Sequence, residues 1–259
     1  MHLERLIAVL ETVAAAGRPI TAGELQQATG LPRPTCYRLV QSLCEHRLLE
    51  APDDGGYLIG ERLVRIAMLG QSDADVSQAA ASPLSDLAIE SGEAVFLSRF
   101  RNNGVEIIHV EVPTDPARSF VHPGLGFRPM HACSCSKAIA AFAEPGFRER
   151  ILKKSLRAYT EFTCTSPEAL RSEFDTIRNR GYAECVEEIE LGVSSVAAPV
   201  QIGTIGAIYS VGAIGPIRRF TKQRRASFGK DLIALADKVS GTIQLNRTGA
   251  TAQTTSNPS

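Results

Sequence analysis

Residues 20–60, ITAGELQQATGLPRPTCYRLVQSLCEHRLLEAPDDGGYLIG, decide the reading of this chain. They order a short capped helix, a Gly-Leu-Pro turn, a second helix and a small hairpin. That is the pattern of a winged helix-turn-helix, which lays one helix in the DNA major groove. Thr21 and Glu24 have the T-x-x-E spacing of a capping box, which satisfies orphan N–H groups at a helix start. Leu25 and Ala28 are expected to face inward, and Gly30 to end the helix, where a positive φ favours glycine. Pro32 and Pro34 suit a turn and a first helical turn, where a missing N–H costs little. Cys36, Leu39, Val40 and Leu43 recur at helical spacing as one apolar stripe. The opposite face carries Arg33, Thr35, Tyr37, Arg38, Gln41 and Ser42, donors of the kind that contact phosphates and base edges. After Leu48 and Leu49, Asp53-Asp54-Gly55-Gly56 is a turn signal and Tyr57-Leu58-Ile59 the returning strand of the wing. The predicted DNA-contacting set is therefore Thr21, Arg33, Pro34, Thr35, Tyr37, Arg38, Gln41, Ser42 and Tyr57.

Charge places a condition on that reading. From Met1 to Gly60, five basic residues (Arg5, Arg18, Arg33, Arg38, Arg47) face seven acids (Glu4, Glu11, Glu24, Glu45, Glu50, Asp53, Asp54). A DNA-binding domain is usually basic. Affinity must then come from a few placed arginines, doubled by dimerisation. The whole chain of 259 residues has 28 basic and 28 acidic residues, so bulk charge drives neither nucleic-acid nor membrane binding. Its 44% apolar and 22% charged content are those of an ordinary globular protein. The six cysteines, at 36, 44, 133, 135, 164 and 185, form no disulfide framework, and reduced thiols in a cytoplasm fit best. With no leader and no apolar run near 18 residues, neither export nor membrane insertion is expected.

The organisation follows from periodicity and breaks. Residues 3–16 read as a first helix, ended by Gly17-Arg18-Pro19. The winged helix-turn-helix DNA-binding domain is assigned to 1–60, a linker helix to 61–73, an effector-binding domain to 74–246 and a disordered, small and polar tail to 247–259. Within 74–246, Asp75–Ser91 reads as a helix interrupted or kinked near Pro83. Ala94–Phe100 and Val105–Val112 read as a hairpin turning at Asn102-Asn103-Gly104. Ser136–Phe142, Phe147–Ser155 and Pro167–Arg180 read as helices, the last between Ser166 and Gly181. Val193–Ile202 and Thr204–Val211 are apolar strands around Gly203, and Thr221–Leu245 is a long final helix. Strands flanked by separate helices argue an α+β sensor domain.

On these blocks the chain resembles the IclR-type bacterial transcriptional regulators. The likeness rests on ATGLPRPTCYRLVQSL, DDGGYLIG and ERLVRIAMLG in the first half. In the second it rests on RPMHACSCSKAIAAF, TSPEALRSEFDTIRNRGYAECVEEIELGVSSVAAPV and GPIRRFT. The resemblance implies an N-terminal winged helix, a linker helix and a C-terminal GAF-like α/β effector-binding domain with a curved sheet. It implies dimers, or dimers of dimers, on palindromic double-stranded operators near metabolic operons, and small organic or aromatic acids as effectors. Carried over residue by residue, the effector site comprises His131, Ala132, Cys133, Ser134, Cys135, Ser136, Cys185, Glu187, Pro199, Gly212 and Ile214. The loop at 130–137 leads into a helix whose N–H groups can hold a carboxylate. Where the family's late strand reads S-x-S-G-P, this chain has Gly212 and Ile214, which implies a roomier and more apolar pocket on that side.

Other chemistries are weaker readings of the same residues. His131-x-Cys133-x-Cys135 lacks the second ligand pair of a zinc site, and no metal or cofactor is expected. Ser134-x-x-Lys137 matches the S-x-x-K of acyl-enzymes, but neither S-D-N nor K-T-G occurs, so no catalytic residue is assigned. A thiol switch at Cys133 or Cys135 would gain from a helix N-terminus. The alternative in another class is a small-molecule sensor or enzyme whose N-terminal module serves only to dimerise.

Overall fold

A computed structural model describes residues 2–53, 55–101, 104–115, 120–202 and 206–250. The chain forms two compact units, Met1–Gln71 and Ser72–Ser259. Among the described residues no helix is long and apolar enough to cross a membrane.

The first unit runs α1 (His2–Ala16), α2 (Ala22–Thr29), α3 (Arg33–Glu45), β1 (Leu49–Glu50), β2 (Leu58–Ile59) and α4 (Glu61–Leu69). Both halves of the capping box form. Glu24 N–H donates to Thr21 Oγ1 at 3.3 Å, and Thr21 N–H donates to Glu24 Oε2 at 2.9 Å. Gly30 closes α2 in the left-handed region, at φ 64°. Val9, Val13, Leu25, Cys36, Leu39, Val40, Leu43 and Leu49 make one core, so the stripe on α3 is the buried one. Ala28 departs from expectation and is exposed. The helix is two turns long and buries only Leu25; a residue three further on is rotated about 60° off that line. The wing pairs Leu49 with Ile59 and Glu50 with Leu58. Tyr57 does not join that ladder. It pairs instead with Ile20, exchanging bonds of 2.8 and 3.0 Å that tie the wing to the entrance of α2. Asp54 of the wing turn lies outside the described residues. Removing the capping hydroxyl with Thr21→Ala is expected to cost about 1 kcal/mol, read as a lower urea midpoint of the full chain with unchanged slope.

The second unit runs α5 (Asp73–Ser91), β3 (Ala94–Arg101), β4 (Gly104–Glu111), β5 (Gly126–Arg128), α6 (Ser134–Ala141), α7 (Pro145–Leu152), α8 (Pro167–Arg180), β6 (Ala183–Val186), β7 (Val193–Gln201), β8 (Ala207–Pro216) and α9 (Lys222–Ala250). Six antiparallel strands form one sheet in the order β5-β4-β3-β8-β7-β6. The α+β class is as expected. α6, α7 and α8 pack on one face and α5 with α9 on the other. Covering both faces is why β3, β7 and β8 are buried at nearly every position rather than at alternate ones.

Several boundaries move. α5 runs unbroken through Pro83. β5 and β6, three and four residues long, fell below what periodicity reveals. β8 continues to Pro216, which brings Gly212 and Ile214 inside a strand. α9 extends to Ala250, past the expected start of the tail at 247; residues 251–259 and the turn residues Asn102, Asn103 and Gly203 lie outside the described residues.

Candidate functional site

α3 starts at Pro32 with no side-chain cap and has Pro34 in its first turn. Its apolar stripe fixes its rotation, so Arg33, Pro34, Tyr37, Arg38 and Gln41 are exposed and Thr35 and Ser42 half-buried. Tyr37 is 63% exposed, far beyond what a packing aromatic shows. Among the described residues no ion pair engages Arg33 or Arg38. Arg18 and Arg47, by contrast, are held by Glu24 at 2.6 Å and Glu61 at 3.2 Å. Two of the unit's arginines are thus internal struts and two are left on one helix face. Gln41 Nε2 donates weakly to Glu45 Oε1 at 3.4 Å. Thr21 is exposed, but its hydroxyl already caps α2, and Tyr57 is half-buried in the wing junction.

In the second unit, pairing of β3, β8, β7 and β6 lays out rows of residues facing α6. One row is Ala94, Ile214, Ser195 and Cys185. The next is Phe96, Gly212, Ala197 and Ala183. The third is Ser98, Ser210 and Pro199. The N-terminus of α6 lies over these rows. Ser134 Oγ and Ser195 Oγ are 2.7 Å apart, and Ser210 Oγ donates to the Cys135 carbonyl at 3.3 Å while sharing a 2.6 Å hydrogen bond with Ser98 Oγ. Cys133 is the N-cap, and its side chain makes no cap hydrogen bond by the geometry. Its thiol lies 3.3 Å from that of Cys135; this contact, then burial, pushes it well up, so it stays an S–H. The Cys185 thiol is pushed up to about 12 by burial first, then by Cys133 and Glu188. Neither is a reactive thiolate. Among the described residues no group of three or more His, Cys, Asp or Glu side chains could hold a metal.

Little of this cluster reaches the surface. Cys133, Cys185 and Ser195 keep 5–6% of their surface and Ile214 more, whereas Ser134, Cys135 and Ser136 keep none. His131 stacks on Tyr159 with centroids 5.9 Å apart, and its Nε2 is 2.9 Å from the Arg157 carbonyl. Thr160 and Thr163 donate to the carbonyls of Glu187 and Glu188 at 2.6 and 2.5 Å, so two loops frame this end.

His131, Ala132, Cys133, Ser134, Cys135, Ser136, Cys185 and Ile214 therefore converge. Pro199 shares their face but lies two rows away, beside Ser210. Glu187, at φ 57°, uses its carboxylate to accept the Gly192 N–H at 2.8 Å, which holds a turn. Gly212 corrects the expectation of a roomier pocket. A Cβ there would fall 2.6 Å from Phe96 Cε2 and closer still to Cζ, so the ring already fills that space. Sequence reading missed Ser195, although strict alternation along β7 places it on the face of Pro199. It also missed the loop at 157–163, which carries no motif.

Behind the site, Lys137 is fully buried. Its Nζ donates to Glu173 and Glu188, each at 2.6 Å. Burial, the largest influence, would lower its pKa, but the two carboxylates outweigh it and hold the ammonium above its ordinary 10.5. The S-x-x-K lysine is thus a locked ion-pair partner and no general base.

Comparison with known proteins agrees with both units. The profile described as the IclR helix-turn-helix domain matches residues 2–53, and that described as bacterial transcriptional regulator IclR C-terminal matches residues 70–241. The glycerol operon regulatory protein of Streptomyces coelicolor is 30% identical over 225 residues, covering 85% of this chain and 87% of that protein. The transcriptional repressor IclR of Escherichia coli is 28% identical over 240 residues, covering 92% and 88%. An IclR homolog of Microbacterium hydrocarbonoxydans, solved with 4-hydroxybenzoate bound, superposes with a TM-score of 0.59 at 25% identity, covering 95% of this chain and 100% of that one.

Proposed function

Since the chain belongs to the IclR family of bacterial transcriptional regulators, we propose that it binds a palindromic operator as a dimer, through α3, under the control of a small organic or aromatic acid held at the N-terminus of α6. It acts as a regulator rather than an enzyme, a reading supported by relatives that are named as regulators and repressors. The observation that carries the reading is the face of α3, where Arg33, Tyr37 and Arg38 stand exposed on a helix whose other side is locked into the core. One such helix offers few base contacts. A dimer doubles them and sets two helices about 34–36 Å apart, one turn of DNA. An acid can change that spacing only if it binds two states of the dimer with different affinity. The N-terminus of α6, with the Ser134 and Ser195 hydroxyls beside it, supports a carboxylate at that point. The neighbour solved with 4-hydroxybenzoate supports the class of ligand.

The test is binding of the full chain to DNA fragments flanking its own gene, with and without added acids. Sub-micromolar binding in moderate salt, released or strengthened by an acid, is the expected result. No bound fragment would sink the regulator reading. For the cradle, Ser134 and Ser195 are both buried, so the conservative pair Ser134→Ala and Ser195→Ala is informative where a buried charge would only unfold the chain. Each is expected to reduce the thermal stabilisation given by 4-hydroxybenzoate, which in the parent rises with concentration. Full stabilisation in both would place the ligand elsewhere.

A further inference from the structure

Cys133 is the N-cap of α6 and Cys135 its second residue, and their sulfurs lie 3.3 Å apart. Among the described residues no other two of the six cysteines make such a contact. The backbone favours closing this gap. Ser134 between them is helical, which sets Cα atoms two residues apart at about 5.4 Å. That is close to the commonest Cα separation in disulfides, and a bond of about 2.05 Å needs the sulfurs to approach by only about 1.2 Å more. Cys36 and Cys44, eight residues apart on α3, would instead have to span about 12 Å.

The pair is also polarised. Cys133 is held as an S–H by its contact with Cys135 and then by burial. Burial, the largest influence on Cys135, would raise its thiol, but hydrogen bonds with Cys133, Ser98 and Ser136 outweigh it and hold it below its ordinary 9.0. The Arg128 guanidinium favours the charged form of both. Exposure divides the two, since Cys133 keeps 6% of its surface and Cys135 none. One sulfur meets solvent, and the more readily ionised one lies against it.

We propose that Cys133 and Cys135 are a reversible dithiol–disulfide site, closed by a hydroperoxide and reopened by a small thiol. It goes beyond control by an acid and needs neither the operator nor that ligand. The Cys133 proton passes to Cys135 across the contact, and the Cys133 sulfur, now a thiolate, attacks one peroxide oxygen. The O–O bond breaks, the departing oxygen leaves with its electron pair and takes a proton from water, and Cys133 becomes a sulfenic acid. The Cys135 sulfur then attacks the Cys133 sulfur. The S–O bond breaks, and the Cys135 proton leaves with the hydroxyl as water. The two electrons given up by the thiols are those that reduce the peroxide. A small thiol reopens the bond through a mixed disulfide, and a second molecule of it completes the exchange, so that it is oxidised to its own disulfide.

Peptide mapping of the full chain tests this. Reduced protein is treated with hydrogen peroxide in the absence of denaturant, then unfolded and alkylated with iodoacetamide. The fragment carrying residues 130–137 is expected to lose two hydrogens and both alkylation sites, and to regain them with dithiothreitol. Cys36, 3% exposed and with no thiol in contact, is expected to stay fully alkylated at the same dose. Cys135→Ser keeps the volume but leaves Cys133 with no thiol to close on, so no fragment of that variant should lose two hydrogens. Full alkylation of Cys133 and Cys135 in the parent, at every dose that leaves its circular dichroism unchanged, overturns the proposal, because that is how inert buried thiols behave. A disulfide from Cys133 to Cys185 overturns it as well, and so does oxidation of Cys133 alone to a sulfinic acid.

Discussion

Arg38→Ala should weaken operator binding by at least about thirtyfold while the protein stays folded and keeps the parent's oligomeric state. Arg38 is exposed on α3, and among the described residues no ion pair holds it, so its loss disturbs no internal contact. Exposed substitutions of that kind change stability by about 0.5 kcal/mol or less. A lost base or phosphate contact costs about 1–3 kcal/mol, and the proposed dimer would lose it twice. Even the lower figure doubled, about 2 kcal/mol, is near thirtyfold in affinity. The binding isotherm of the variant against salt separates two origins. If the guanidinium grips a phosphate, affinity falls uniformly across sequences and the salt slope drops by about one per arginine. If it reads a base edge, the variant loses preference at one operator position. Arg18→Ala is the control, since Arg18 is engaged with Glu24 as a strut for the capping box. Equal affinity of Arg38→Ala and parent would remove α3 as the reading helix. The acidic balance of residues 1–60 makes the prediction sharper, because no surplus of positive charge is present to mask the loss of one arginine.

The winged helix was legible because its signals are local. The capping box spans four residues, the helix end needs one glycine, and the stripe on α3 repeats within thirteen. Ala28 shows the limit, since which flank of a two-turn helix is covered depends on a partner remote in sequence. The same limit governs the cradle. The loop at 130–136 was found as a block, and the small residues there proved to be the ones buried beneath neighbouring strands. What could not be read was the row structure. Gly212 looked like a missing hydroxyl and hence added space. Only the register of β3 against β8 shows that Phe96, 116 positions earlier in the chain, occupies it. Ser195 was within reach, because alternation along β7 needed only one anchored neighbour to assign its face. Lys137 was visible as part of an S-x-x-K spacing, yet its two carboxylates lie 36 and 51 residues away, and no spacing rule connects them.

Lys137→Met should be the most destabilising single change in the second unit, by about 3–5 kcal/mol. That is a large share of the roughly 5–15 kcal/mol that holds a domain folded. Methionine fills most of the volume, so cavity formation contributes little. The cost comes from two carboxylates left facing each other without the ammonium between them. Glu173 is 26% exposed and can recover some hydration, but Glu188 is only 11% exposed, and its Oε2 is buried with no hydrogen-bond partner. Burial first, partly offset by Lys137, already holds the Glu188 carboxyl above its ordinary 4.5. The folded state therefore binds that proton more tightly than the unfolded chain does. The associated stability is fully present below pH 4.5 and is lost as pH rises through the raised value. Without the ammonium that pKa rises further and the loss extends to higher pH. The deficit of Lys137→Met relative to parent is thus expected to be larger near pH 8 than near pH 5, measured by urea unfolding. Adding Glu188→Gln to the variant removes the charge that cannot be placed, and should recover stability near pH 8 but little near pH 5. A deficit equal at both values would mean that packing alone, and not charge, makes Lys137 necessary. The triad ties α6, α8 and the segment after β6 together directly behind Ser134 and Cys135. On the proposed effector site, its loss should also blunt acid-induced stabilisation in whatever fraction of the variant remains folded, because the amides of α6 would no longer be held where the proposed carboxylate would meet them.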